Sequence, residues 1–85
     1  MIVLAKFHIF DLPPGFKDAE LEVPDAATVN DVLDACLVLF EERGVSMAES
    51  ELRTAIVLVG AKWSNLSDPV SDGDTITVIR TMDGG

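Results

Sequence analysis

Thr28-Val29-Asn30-Asp31-Val32-Leu33, continuing through Asp34-Ala35-Cys36-Leu37-Val38-Leu39-Phe40 to Arg43-Gly44, carries the sustained helical repeat of this 85-residue chain. Val29, Val32, Leu33, Cys36, Leu37 and Phe40 fall at i, i+3, i+4, i+7, i+8 and i+11, which is one apolar stripe. Thr28 and Asp31 have the spacing of a capping box, with a short acid in the place of the usual glutamate, and Asp31 suits the positive end of the helix dipole. Gly44 suits the position just past the C-terminus. The spacing predicts a helix over Val29–Arg43. Ala35, Val38 and Leu39 widen its apolar surface, which reads first as packing under the following loop and second as a partner contact.

On the N-terminal side, Ile2–Phe10 reads as a central strand, with Lys6 and His8 on one face and Val3, Ala5, Phe7 and Ile9 on the other. Leu12-Pro13-Pro14-Gly15 breaks it. Ala19, Leu21 and Val23 then alternate with Asp18, Glu20 and Glu22, the signature of a strand with one wet face, stopped by Pro24. The two strands are expected to form a hairpin. On the C-terminal side, the polar stretch Val45–Arg53 admits a loop or one helical turn at Met47–Leu52. Ala55–Val59 reads as a buried strand and Lys62–Leu66 as a short edge strand around Trp63. Ser71-Asp72-Gly73-Asp74 signals a turn before the alternating strand Thr75–Ile79.

The order β-β-α-β-(β)-β supplies one helix for a sheet of four or five strands, so one sheet face must stay partly open. This is the layout of an α+β, β-grasp domain with a mixed sheet, the first and last strands side by side at its centre. The domain is expected over residues 1–80, with a flexible tail at 81–85.

Fifteen acidic residues against 6 basic ones give a net charge of −9, and 48% of the chain is hydrophobic. A chain this size holds one domain, and its apolar fraction excludes disorder. The charge argues against nucleic acid and anionic membrane and favours a basic protein surface as partner. One cysteine, Cys36, excludes an internal disulfide, a four-cysteine zinc site and an iron–sulfur cluster. With no basic leader before Ile2-Val3-Leu4 and no apolar run near the ~18–20 residues of a membrane span, a cytoplasmic location is expected.

Side-chain chemistry is sparse. His8 has no second histidine or cysteine beside it and reads as structural. Cys36 lies on the inward stripe, where burial raises a thiol pKa and hides the sulfur. Asp68, Asp72 and Asp74 lack the order of a calcium loop and read as turn acids. No phosphate loop, paired carboxylates or nucleophile–base set can be drawn from the rest, so the chain is not expected to be an enzyme or to bind a metal or cofactor. Its last residues, Gly84-Gly85, occur together by chance at roughly half a per cent, taking ~7% glycine per position. Lacking a Cβ, such a tail can thread a narrow channel and present its main-chain carboxylate to another protein's active site.

In that order, Ile2–Phe10, Leu21-Glu22-Val23-Pro24 through Ala27-Thr28-Val29-Asn30-Asp31-Val32-Leu33, the Ser71–Asp74 turn and Gly84-Gly85 resemble the MoaD/ThiS family of ubiquitin-like sulfur carriers, over the whole chain. The resemblance implies that an E1-like enzyme uses ATP to adenylate Gly85, which is then converted to a thiocarboxylate. It implies that Gly84 fits that enzyme's channel; the acid Asp83 beside the glycines, which departs from the family's pattern, is a tail residue that would select among activating enzymes. The length and the long Val45–Thr54 connection look most like the small subunit of molybdopterin synthase, which docks tail first in a large catalytic subunit. A carrier for thiamine or another thio-metabolite, and a ubiquitin-like binding module or protein modifier, remain as alternatives. Trp63 and Leu66 are the candidate docking residues.

Overall fold

The capping box at Thr28 starts the helix as the sequence spacing requires. In the computed structural model, which describes residues 1–8, 10, 12, 15 and 17–81, the Thr28 hydroxyl accepts from the Asp31 amide at 3.4 Å. Asp31 Oδ2 accepts from the Thr28 amide at 2.9 Å. The helix, α1, spans Val29–Glu42, and Arg43 is its C-cap. It ends in a Schellman arrangement: the Gly44 N–H donates to the Glu41 carbonyl at 3.1 Å and the Val45 N–H to the Phe40 carbonyl at 2.8 Å. That geometry needs a left-handed residue, and Gly44 adopts φ 71°. Ile9, the Pro13-Pro14 break and the tail at 82–85 lie outside the described residues.

Five strands accompany α1: β1 (Ile2–His8), β2 (Asp18–Glu22), β3 (Ile56–Val59), β4 (Lys62–Ser64) and β5 (Thr75–Ile79). They form one sheet in the order β2-β1-β5-β3-β4. β1 and β2 make the expected antiparallel hairpin, Val3 opposite Leu21 and Ala5 opposite Ala19. β1 and β5 lie side by side in parallel, Ala5 in register with Ile76 and Phe7 with Val78. β3 joins β5 and β4 antiparallel.

The inward residues of the central strands meet the helix stripe. Val3, Ala5, Phe7, Ile76 and Val78 pack with Val29, Val32, Leu33, Cys36 and Phe40 in one buried cluster. The Phe7 and Phe40 rings lie 5.2 Å apart, and Phe10 meets Phe7 edge-on at 5.9 Å. Leu37, placed on the stripe by its spacing, is only partly buried at the rim of the core. Ala35 and Leu39 also pack at this rim, whereas Val38 points away and is 54% exposed. The packing account of these flank residues therefore holds for two of the three.

In the C-terminal half one open reading is decided and one is corrected. Met47–Leu52, open between loop and helical turn, contains a second short helix, α2 (Glu49–Arg53). Leu52 enters the core completely. The Arg53 guanidinium donates to Asn30 and Asp34 on α1 and lies 3.4 Å from Glu49, tying α2 to the flank of α1. Ala55–Val59 is not wholly buried: in β3 only Val57 is, while Ile56 and Leu58 are half-buried. The reason is the period of a strand, which turns alternate side chains to the face that α1 does not cover.

The three loop acids act as turn acids. Asp72 Oδ1 accepts from the Ile2 amide at 2.7 Å, Asp74 Oδ2 from the Ser71 amide at 2.7 Å, and Asp68 Oδ2 from the Asn65 amide at 2.8 Å. Gly73 takes φ 85° and donates to the Ile2 carbonyl at 2.7 Å, so the turn fastens the start of β1 beside β5.

Because α2 meets the core through Leu52 and α1 through Arg53, removing the Leu52 side chain should cost more than its short helix suggests. Leu52→Ala is expected to destabilise by about 2–5 kcal/mol, measured as a lower urea midpoint with an unchanged m-value.

Candidate functional site

The uncovered sheet face is the candidate site. Strand alternation and register place its side chains in rows. Lys6, Thr77, Leu58 and Trp63 line up from β1 across β5 and β3 to β4, and His8, Ile79 and Ile56 form the next row. Leu4 and Thr75 are paired on the same face. Toward β4 the face is apolar, built from Ile79, Ile56, Leu58 and Trp63. Trp63 is 71% exposed, the most exposed of the large hydrophobic residues described. An aromatic ring this open on an edge strand has no role in the protein's own core, and such rings are the anchors most enriched at protein interfaces.

The two docking candidates do not form one patch. Trp63 stands on this face, whereas Leu66 lies in the turn that meets the start of α1, its carbonyl accepting from the Asn30 amide at 2.9 Å. Leu66 is 37% exposed. Ile56 and Leu58 were missed as surface residues, since a short apolar run does not distinguish a strand buried on both faces from one buried on a single face; Ile79 shares the Thr75–Thr77 face of its alternating strand and was not singled out. The signal that could have found them was the count of helices, which leaves no second layer. Gly85, Gly84 and Asp83 lie outside the described residues. β5, which leads to them, runs up the middle of the sheet and places Ile79 on the open face just before the chain leaves it.

No protein-family model matches the chain, and no curated protein does. Solved structures match over its whole length. The crystal structure of SAMP1 from Haloferax volcanii is 25% identical, covers 100% of both chains and superposes with a TM-score of 0.71. The fold is MoaD/ThiS-like and ubiquitin-like. A second MoaD/ThiS-like structure, described as a molybdopterin converting factor subunit 1 from Pyrococcus furiosus, is 17% identical over 96% of this chain and 99% of that one, with a TM-score of 0.67. A third, from a complex of subunits 1 and 2 of the molybdopterin-converting factor of Helicobacter pylori, is 19% identical over 100% of both chains at a TM-score of 0.54.

Within this ubiquitin-like fold the side chains that could do chemistry are dispersed. His8 is exposed at the end of β1. Among the described residues no three His, Cys, Asp or Glu side chains are grouped to hold a metal ion, and no helix is long and apolar enough to cross a membrane. Asp34, through its hydrogen bond, raises the Arg53 guanidinium further above its ordinary pKa, a structural pairing on the helix flank.

Cys36 is fully buried in α1, and burial pushes its thiol up from 9.0 to about 12. The folded protein therefore keeps this proton where the unfolded chain has lost it. Between pH 9.0 and about 12, stability from this group falls as pH rises, by at most about 1.4 kcal/mol per pH unit. A Cys36→Ala or Cys36→Val variant should lack that component of the alkaline slope. In the wild type an aromatic disulfide reagent should report no thiol until urea opens the core.

Proposed function

We propose that this chain is a ubiquitin-like sulfur carrier whose working group is the carboxylate of Gly85. The observation that carries this reading is the end-to-end likeness to SAMP1, together with a sheet whose central strand leads toward Gly84-Gly85 beside an open apolar face. The carrier supplies an acyl group and a docking surface, and partners supply catalysis.

In the proposed cycle an E1-like enzyme joins the Gly85 carboxylate to the α-phosphate of ATP, and pyrophosphate leaves. A sulfide-level nucleophile, HS⁻ released by the sulfur donor, then attacks the acyl carbon, AMP departs, and a thiocarboxylate remains. The thiocarboxylate sulfur then attacks an electrophilic carbon of an acceptor, and water cleaves the acyl–sulfur bond so formed, leaving the sulfur on the acceptor and returning the carboxylate. Gly84 lets the tail pass a channel that a Cβ would obstruct, and Asp83 gives the enzyme a charge to recognise. Residues 82–85 reach at most roughly 14 Å beyond Thr81. An enzyme that holds Gly85 therefore also meets the end of β5, where Ile79 and Ile56 sit, and the face continues to Trp63. The acceptor proposed first is a molybdopterin synthase large subunit, supported by the likeness to molybdopterin converting factor subunits, one of them described in complex with its subunit 2. A thiamine or other thio-metabolite pathway would use the same chemistry.

A second reading rests on a specific observation. The Haloferax volcanii relative is also described as small archaeal modifier protein 1, so the activated Gly85 carbonyl could be attacked by a lysine amine, giving an isopeptide in place of a thiocarboxylate.

Incubation with ATP, an E1-like enzyme from the same cell and a sulfur donor should replace one oxygen of the chain by sulfur in its intact mass. Deleting Gly85 should abolish this, and an unchanged wild-type mass would refute the carrier reading. Conjugates to lysine in place of the sulfur adduct would favour the modifier. Trp63→Ala should weaken the activating enzyme's apparent affinity about tenfold or more without lowering the unfolding midpoint, since the ring contributes nothing to the core.

A further inference from the structure

We propose a second docking site, at the β2 end of the sheet and apart from the apolar Trp63 region and the tail: the outer edge of β2 accepts an extended basic segment of a partner protein as an added antiparallel strand. The β1–β2 register fixes which backbone groups are available. Met1 and Val23 exchange hydrogen bonds at 2.8 Å, and the Phe7 amide donates to the Lys17 carbonyl at 2.8 Å. In an antiparallel ladder this alternation assigns Leu21 and Ala19 to β1 as well, and turns the N–H and C=O groups of Asp18, Glu20 and Glu22 outward. Among the described residues nothing pairs with this edge. The opposite edge, β4, is only three residues long.

Charge selects the occupant. Asp18, Glu20 and Glu22 are exposed, and none makes an ion pair among the described residues. A second copy of β2 would place carboxylate opposite carboxylate, which is unfavourable, and a second copy of β4 would bring only Lys62 as a cation. An incoming strand with lysine or arginine at alternate positions sets each cation directly opposite an acid, in the pair that also exchanges backbone bonds.

The intervening side chains of such a strand point the other way, toward α1. There a cleft of about 190 Å³ is lined by Gly15, by Asp18, Ala19 and Glu20 of β2, and by Leu39 and Arg43 at the C-terminal end of α1. Ala19 and Leu39 give it a small apolar floor, suited to valine-sized groups. The segment recognised is thus extended, basic and apolar by turns, and about five residues long to match β2.

A blocked peptide alternating lysine and valine, titrated into the intact protein and followed by amide shifts, tests this. Shifts should gather at residues 17–23 and at Leu39, leaving Trp63 fluorescence unchanged, and binding should weaken with salt. N-methylation of the lysine amides, which face the edge, should weaken binding about tenfold or more, whereas N-methylation of the valine amides should leave it within about twofold. Glu20→Lys should cost about tenfold, and the glutamate–valine peptide should not bind. Equal binding by the two N-methylated peptides, an unaffected Glu20→Lys variant, or shifts centred on Trp63 would overturn the proposal. Loss of the carrier activity of Gly85 would leave it untouched, because the edge is read without the tail.

Discussion

One helix must serve a five-stranded sheet, and the rest of the molecule follows from that shortage. The stripe of α1 has area for the inner residues of β1, β5, β2 and part of β3, and among the described residues no other element reaches the far side. α2 does not relieve the shortage, since Leu52 and Arg53 hold it on the same side as α1. The outer face is therefore divided by charge and polarity along its strands. Acids stand over β2, a lysine and threonines over the centre, and isoleucines, leucine and tryptophan over β5, β3 and β4. A partner meets a different chemistry at each end.

Much of this architecture was legible because it rests on local rules that tertiary contacts did not override. Thr28, Asp31 and Gly44 mark the helix by capping geometry alone, and the structure realises each bond. The turn at Ser71–Asp74 was legible for a similar reason: Asp and Gly satisfy a reversal's own backbone, although that Asp72 would reach the Ile2 amide needed the neighbouring strand. What escaped the sequence depends on distant partners. α2 is too short to show a helical repeat, and its stability comes from Leu52 in the core and Arg53 on α1.

The candidate site was legible unevenly. Trp63 stood out as a large aromatic residue in a short polar setting, and its exposure follows from its place on an edge strand. Ile56 and Leu58 read as core, because a short apolar run satisfies strand propensity whether or not a second layer covers it. Leu66 was grouped with Trp63 by proximity in sequence, yet a turn separates them and its backbone serves α1. The Gly84-Gly85 signal lies in the sequence itself, and the chemistry proposed for it belongs to the main chain, which no pattern of side chains announces.

The pairing of β1 with β5 also bears on how the protein comes into being. Leu4 registers with Thr75 and His8 with Ile79, so the centre of the sheet joins segments made far apart in synthesis. A nascent chain can form the β1–β2 hairpin and the beginning of α1, but the hydrophobic side of β1 has no second neighbour until Thr75–Ile79 have cleared the ribosome. Such non-local pairing slows folding relative to a helical bundle of equal length. During that interval Val3, Ala5 and Phe7 are the surface most in need of shelter from other chains.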